Sequence, residues 1–249
     1  KNICNKTLER LWRNELIILP RLFLRPLCLQ IRFFKFLKFL NCGLTACDQR
    51  DIFNLLDQYP ANIKLSHHDL IKGDNEKIKI GLPKKAKFVC LIVRDSSYLE
   101  KLYGQKMTMH DYRDSDINDF TKACEELTKF GYYVVRMGST VKKPINSDNK
   151  MIIDYAFNNL RTDFMDIYLA SQCEFCITTG TGFDGTTLMF RKPNIYVNIA
   201  PLFHLRLECS NLISIPCHYY SKKLSRNLTI SEITNSRAAV YLDSNHFKD

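Results

Sequence analysis

The sequence lacks any run of about 20 mostly apolar residues, the length that a membrane-crossing helix requires. Its longest apolar stretches are broken by Lys or Arg every three to seven residues. It also lacks the succession of basic, apolar and small-residue regions that marks a signal peptide. Several cysteines sit inside apolar runs, Cys90 in FVCLIV and Cys176 in EFCITT among them. A free cysteine there behaves as a small hydrophobe, which points to a reducing, cytoplasmic setting. Cys173 and Cys176 form a CxxC, but no second pair stands at zinc-ligand spacing. Neither GxSxG nor GxxxxGK[ST] occurs, so no hydrolase triad and no P-loop are supported. Motifs of DNA- or RNA-binding domains are absent, which sets nucleic acid aside as a partner.

Acidic residues are in deficit, 26 against 36 Lys and Arg, for a formal net charge of +10. The excess is local. Residues 1–40 hold nine cations against Glu9 and Glu15, which accounts for seven of the ten net charges. In the run from Ile31 to Leu40, Arg32, Lys35 and Lys38 stand three apart, with Phe and Leu between them. That spacing predicts an amphipathic helix, cations on one side and rings on the other. Such a segment suits an anionic membrane face, peripheral at the inner membrane, or packing onto a domain. The basicity therefore belongs to the N-terminal segment and says little about any pocket elsewhere.

What is present is an ordinary globular balance, 45% hydrophobic and 25% charged over 249 residues. A chain of that length buries about three-quarters of its unfolded surface. Residues 7–40 read as helix interrupted at Pro20 and Pro26, and residues 51–59 as a short helix ended by Pro60. His67-His68-Asp69 stands on a segment read as irregular, and residues 73–79 read as a polar surface loop. Gly81-Leu82-Pro83 punctuates the chain. The boundary between a basic, mostly helical segment (1–84) and a larger domain (85–249) is placed there.

Beyond it, element types alternate. Phe88 to Val93 is a continuous β-forming run, as expected of a strand buried on both faces. A long polar connection over residues 98–113 follows, carrying His110, Asp111, Tyr112 and Arg113. A helix begins at Ser115 or Asp116 and ends at Gly131. Tyr132 to Arg136 is the next strand. Thr162 or Asp163 caps another helix, and the stretch EFCITTGTGFDGTTLMFRKPNIYVN reads strand, loop, helix, turn, strand. Residues 211–215 suggest a further short strand, and Thr229-Ile230-Ser231-Glu232 matches a capping box. This succession predicts an α/β fold, a Rossmann-like parallel sheet with helices on both faces.

Ligands of such sheets lie beyond the carboxyl ends of the strands. That rule selects Arg94 and Asp95, Arg136 to Ser139 with Gly138 among them, the loop Thr178-Thr179-Gly180-Thr181-Gly182, and Asn198 to Pro201. The loop is read as a phosphate cradle that is not a GxGxxG, so a dinucleotide fingerprint is not supported. Glycine lets backbone N–H groups approach an anion, and a helix N-terminus adds positive potential. Arginines at neighbouring strand ends supply bidentate contacts to phosphate. His110 and Asp111, on the long connection, are the candidates for general base.

The segments YRDSDINDF, GYYVVRMGS, IIDYA, DFMDIYLASQCEF, TTGTG and FRKPNIYVNIAPL occur in this order. The set resembles a family of bacterial glycosyltransferases associated with surface-polysaccharide clusters, over about residues 87–233. The resemblance implies a GT-B-like fold whose C-terminal domain holds a nucleotide-sugar. It adds Arg113 to the binding residues and marks Asp116, Asp154, Asp163 and Asp166. It implies sugar transfer to a glycan or lipid-linked acceptor by a metal-independent route without a cofactor, and no convincing DxD stands in the chain. The first 80 residues are too short for a complete acceptor domain. Either the chain, which begins at Lys1, is a piece of a longer enzyme, or its acceptor site is minimal. A non-catalytic nucleotide- or sugar-binding module and a partner of a membrane complex are the alternatives.

Overall fold

The computed structural model describes residues 4–17, 51, 53–106 and 108–247. The amphipathic pattern of residues 31–40, and most of the basic segment, lie outside the described residues.

Six strands form one parallel sheet: β1 (Phe88–Ile92), β2 (Tyr133–Arg136), β3 (Ile152–Ile153), β4 (Cys176–Thr178), β5 (Asn194–Ile199) and β6 (Leu212–Pro216). Their order across the sheet is β3-β2-β1-β4-β5-β6. The chain thus winds outward from β1 in one direction, returns, and winds outward from β4 in the other. This is the Rossmann strand order, and its reversal opens a crevice between the carboxyl ends of β1 and β4.

The centre of the sheet follows from FVCLI. All five residues of β1 are buried, and their side chains alternate between two cores. Phe88, Cys90 and Ile92 face one core with Val135, Tyr155, Met165, Tyr168, Leu169 and Cys176. Leu91 faces the other, with Val134, Ile152, Phe120 and Cys124. The buried Cys90 and Cys176 thiols are pushed well above the usual range by desolvation, as expected of cysteines used for packing.

Helices cover both faces. On the first lie α1 (Lys6–Glu15), α3 (His67–Lys79) and α6 (Asp163–Gln172); on the second lies α5 (Thr121–Lys129). A short α2 spans Leu55–Gln58, where the Asp51 carboxylate accepts from the N–H groups of Leu55 and Leu56 at 2.8 and 2.6 Å. Ile80 and Leu82, just before the boundary drawn at residue 84, lie in the same core as β1.

Three sequence readings are corrected. Residues 73–79 are not a loop but the second half of α3. That helix starts at a capping box, in which Ser66 Oγ accepts from the Asp69 N–H at 3.1 Å and Asp69 Oδ2 accepts from the Ser66 N–H at 3.3 Å. Gly73 is there because α6 crosses closely: a Cβ on it would lie 1.9 Å from the Tyr168 ring. His67 and His68 are therefore helical neighbours, roughly 100° apart, and Asp69 is held by Arg10 at 3.0 Å. Among the described residues no group of three potential metal ligands gathers there or at Cys173 and Cys176. Finally, the connection over 98–113 contains α4 (Ser97–Tyr103) and a 3-10 turn, Thr108–Arg113.

Candidate functional site

The crevice at the sheet reversal is built by two strand exits. After β4 the chain turns at Gly180, whose φ of +79° favours glycine. It then enters α7 (Gly182–Met189), capped by Thr181 in a capping box with Asp184. After β1, the backbone N–H of Arg94 donates to Thr179 Oγ1 at 2.8 Å. The two exits are thereby tied together. Arg113, arriving from the 3-10 turn, donates from Nη2 to the Gly180 carbonyl at 2.9 Å.

These residues line a cavity of about 400 Å³ together with Tyr196, Phe203, His204, Arg206 and Glu208. Arg94 is largely buried, with 14% of its side chain exposed, and its Nε lies 3.4 Å from Asp114. Burial, and then the neighbouring Arg113 charge, lower its pKa. Two like charges held this close stabilise an anion between them. Arg206 is the third guanidinium, paired with Glu208 at 2.7 Å.

The loop's amides are mostly engaged by the loop and its neighbours. Thr179 N–H donates to the Ile92 carbonyl, Gly180 N–H to Thr178 Oγ1 at 3.0 Å, and Thr181 N–H to Asp184 Oδ1 at 2.7 Å. Gly182 differs. As the first residue of α7 its N–H has no intrahelical acceptor. Its φ is not positive, and a Cβ built on it would meet nothing within 4 Å. The fold alone therefore gives no reason for glycine at this point. It lines this cavity and also a second one, of about 550 Å³, on the β2 side of the crevice.

Of the residues singled out in the sequence, Arg94, Arg113, Thr179, Gly180, Thr181 and Gly182 converge on the first cavity. Thr178 is wholly buried and acts inside the loop. Gly138 lines the second cavity. Arg136 is a correction. It is the last residue of β2, 1% exposed, and points beneath the loop that follows. There it donates to the Lys143 carbonyl at 2.7 Å and to Asp154 Oδ2 at 3.0 Å. It clamps the two ends of the 143–154 segment, which includes β3, and lines neither cavity. His110 and Asp111 line neither cavity either. Burial and then the charges of Arg94 and Arg113 lower the His110 pKa.

One feature overturns the sequence reading and another escaped it. Gly180, Gly182 and Gly185 stand at GxGxxG spacing, after a strand and opening a helix, which is the phosphate-binding context of that pattern. It follows β4 instead of β1, and only Gly180 has a dihedral that requires glycine. Arg206 lies beyond the β5 exit, where the strand-end rule already pointed.

No protein-family model matches the chain, and no curated protein matches it. Among solved structures it is similar to the E. coli ADP-heptose lps heptosyltransferase II, at 13% identity and a TM-score of 0.39. That likeness covers 61% of this chain and spans 44% of the other.

Proposed function

We propose that the chain binds a diphosphate-bearing ligand at the β1–β4 crevice and that it is a glycosyltransferase using a nucleotide-sugar donor. The observation that carries the binding part is Gly182. It is a glycine without a conformational or packing reason, at a helix N-terminus, facing a cavity into which Arg94 and Arg113 converge. Close approach of a phosphate supplies the reason, since a Cβ would stand between it and the helix amides. The transfer part draws on the sequence resemblance. In that chemistry the leaving group is the nucleoside diphosphate. The Arg94 and Arg113 guanidiniums and the start of α7 are arranged to stabilise the charge it gains. The acceptor is a glycan or a lipid-linked glycan, and the route is metal-independent.

A second reading has an observation of its own. Because His110 and Asp111 line neither cavity, the residues named from sequence for deprotonating an acceptor hydroxyl stand outside the walls of the proposed donor site. A nucleotide- or sugar-binding module without turnover would be built this way.

Thermal-shift measurements with nucleoside diphosphates and nucleotide-sugars test binding, and donor hydrolysis separates the two readings. Stabilisation with slow donor hydrolysis, both lost in Arg113→Ala, is the expected result. Stabilisation without any turnover favours the module, and no stabilisation by any nucleotide removes both.

A further inference from the structure

We propose that the second cavity, across Gly182 from the arginine-lined one, binds an uncharged, hydroxyl-bearing ring carried on the same diphosphate. This rests on the phosphate-binding reading above. The two cavities share Arg94, Thr181 and Gly182. A ligand whose phosphates sit at Gly182 therefore extends into both.

The walls of the second cavity have a different chemistry from those of the first. Ile92, Val93, Met137, Val141, Ile167 and Phe183 make its apolar part. Its charged part is acidic on balance: among the described residues, the carboxylates Asp95, Asp163 and Asp166 line it with Arg94 and Arg161. Arg161 is already engaged by Asp163 and Asp166. A second phosphate here would meet net repulsion. An alkyl chain would strip water from the carboxylates and leave them unpaired, which is costly. A ring with hydroxyls on its rim and C–H bonds on its face answers both parts of the wall. Its hydroxyls donate to carboxylate oxygens, and its faces pack on the aliphatic and aromatic side chains.

Two parts of a nucleotide-sugar fit that description, the nucleoside and the sugar. The same titration distinguishes them. Pyrophosphate, a nucleoside diphosphate and the corresponding nucleotide-sugar are titrated calorimetrically into the wild-type protein and into Thr140→Trp. Thr140 is half-buried on the loop after β2 and lines only this cavity, so an indole there takes up its volume without replacing any residue of the core strands. Pyrophosphate affinity is expected to stay within about twofold while a larger ligand loses about tenfold or more. Loss already at the nucleoside diphosphate puts the nucleoside in the cavity. Loss only at the nucleotide-sugar puts the sugar there. Asp163→Asn, which changes no volume, is expected to weaken the same ligand about threefold.

Equal binding of all three ligands by wild type and Thr140→Trp overturns the inference while leaving the phosphate site standing. A loss shared equally by pyrophosphate also overturns it, because the cavity then has no separate occupant. Failure of pyrophosphate to bind the wild-type protein removes the phosphate-site reading, and this inference with it.

Discussion

Arg136 and Arg113 look alike in sequence, each a cation near a predicted strand exit, yet they have different tasks. Arg136 is the last residue inside β2, and its 2%-exposed side chain is paired with Asp154. Its replacement by Ala leaves a partly buried carboxylate without its guanidinium and is expected to cost about 3 kcal/mol. Chemical denaturation checks this, with a loss under 1 kcal/mol as the contrary result. Asp166 makes a second prediction at this scale. Burial raises its carboxyl to about 6 against the attraction of Arg161, whereas an unfolded Asp titrates near 3.9. Between these values the folded state holds more protons than the unfolded one, so the group's contribution to stability falls as pH rises from about 4 to 6. Asp166→Asn removes that slope. Its melting temperature relative to wild type is expected to be higher at pH 7 than at pH 4, and a pH-independent difference would contradict the assignment.

At the scale of elements, the parallel sheet was legible because its strands are short β-forming runs closed by polar or glycine exits. FVCLI and YVVR are buried almost throughout, and such runs leave little choice of element. Helix α3 was not legible in the sequence. GDNEKIK is polar because most of that helix faces water, and its glycine reads as a breaker until the Tyr168 ring beneath it is seen. The site was legible in part. Strand exits found Arg94 and the Gly180 loop, but residue order cannot say that Arg136 turns inward or that the 108–113 turn swings Arg113 over Gly180. That turn is held by the chain's last described element, Ser244–Phe247. Tyr112 stacks on Phe247 with ring centroids 4.8 Å apart, and the Tyr112 N–H donates to Ser244 Oγ at 3.2 Å. Tyr219 and Tyr241 close around the same ring, at 5.9 and 5.5 Å. Phe247→Ala is therefore expected to weaken nucleotide binding about threefold or more through Arg113, with Phe247→Tyr restoring it. An unchanged dissociation constant in Phe247→Ala would show that Ser244–Phe247 does not position Arg113.

Taken whole, the molecule places its sheet reversal, a GxGxxG helix start and two converging arginines at one point. The net charge of +10 first suggests a strongly cationic binding surface, but most of it stands in residues 1–40. Local charge at the crevice comes instead from Arg94, Arg113 and Arg206, set against the carboxyl groups of Asp114, Asp184 and Glu208. A crevice of this kind binds by geometry as much as by charge, and Gly182 is where geometry is tested most cleanly. Ala at that position has room in the fold and a better helix propensity, worth up to about 1 kcal/mol. Gly185, in the same helix with equal room for a Cβ and lining neither cavity, is the internal control.

The decisive measurement is the calorimetric affinity for a nucleoside diphosphate in wild type, Gly182→Ala and Gly185→Ala, with melting temperatures taken in parallel. Both variants are expected to melt at or above the wild-type temperature, and only Gly182→Ala to lose affinity, by about tenfold. Equal affinity in all three proteins would contradict a phosphate seated on the start of α7.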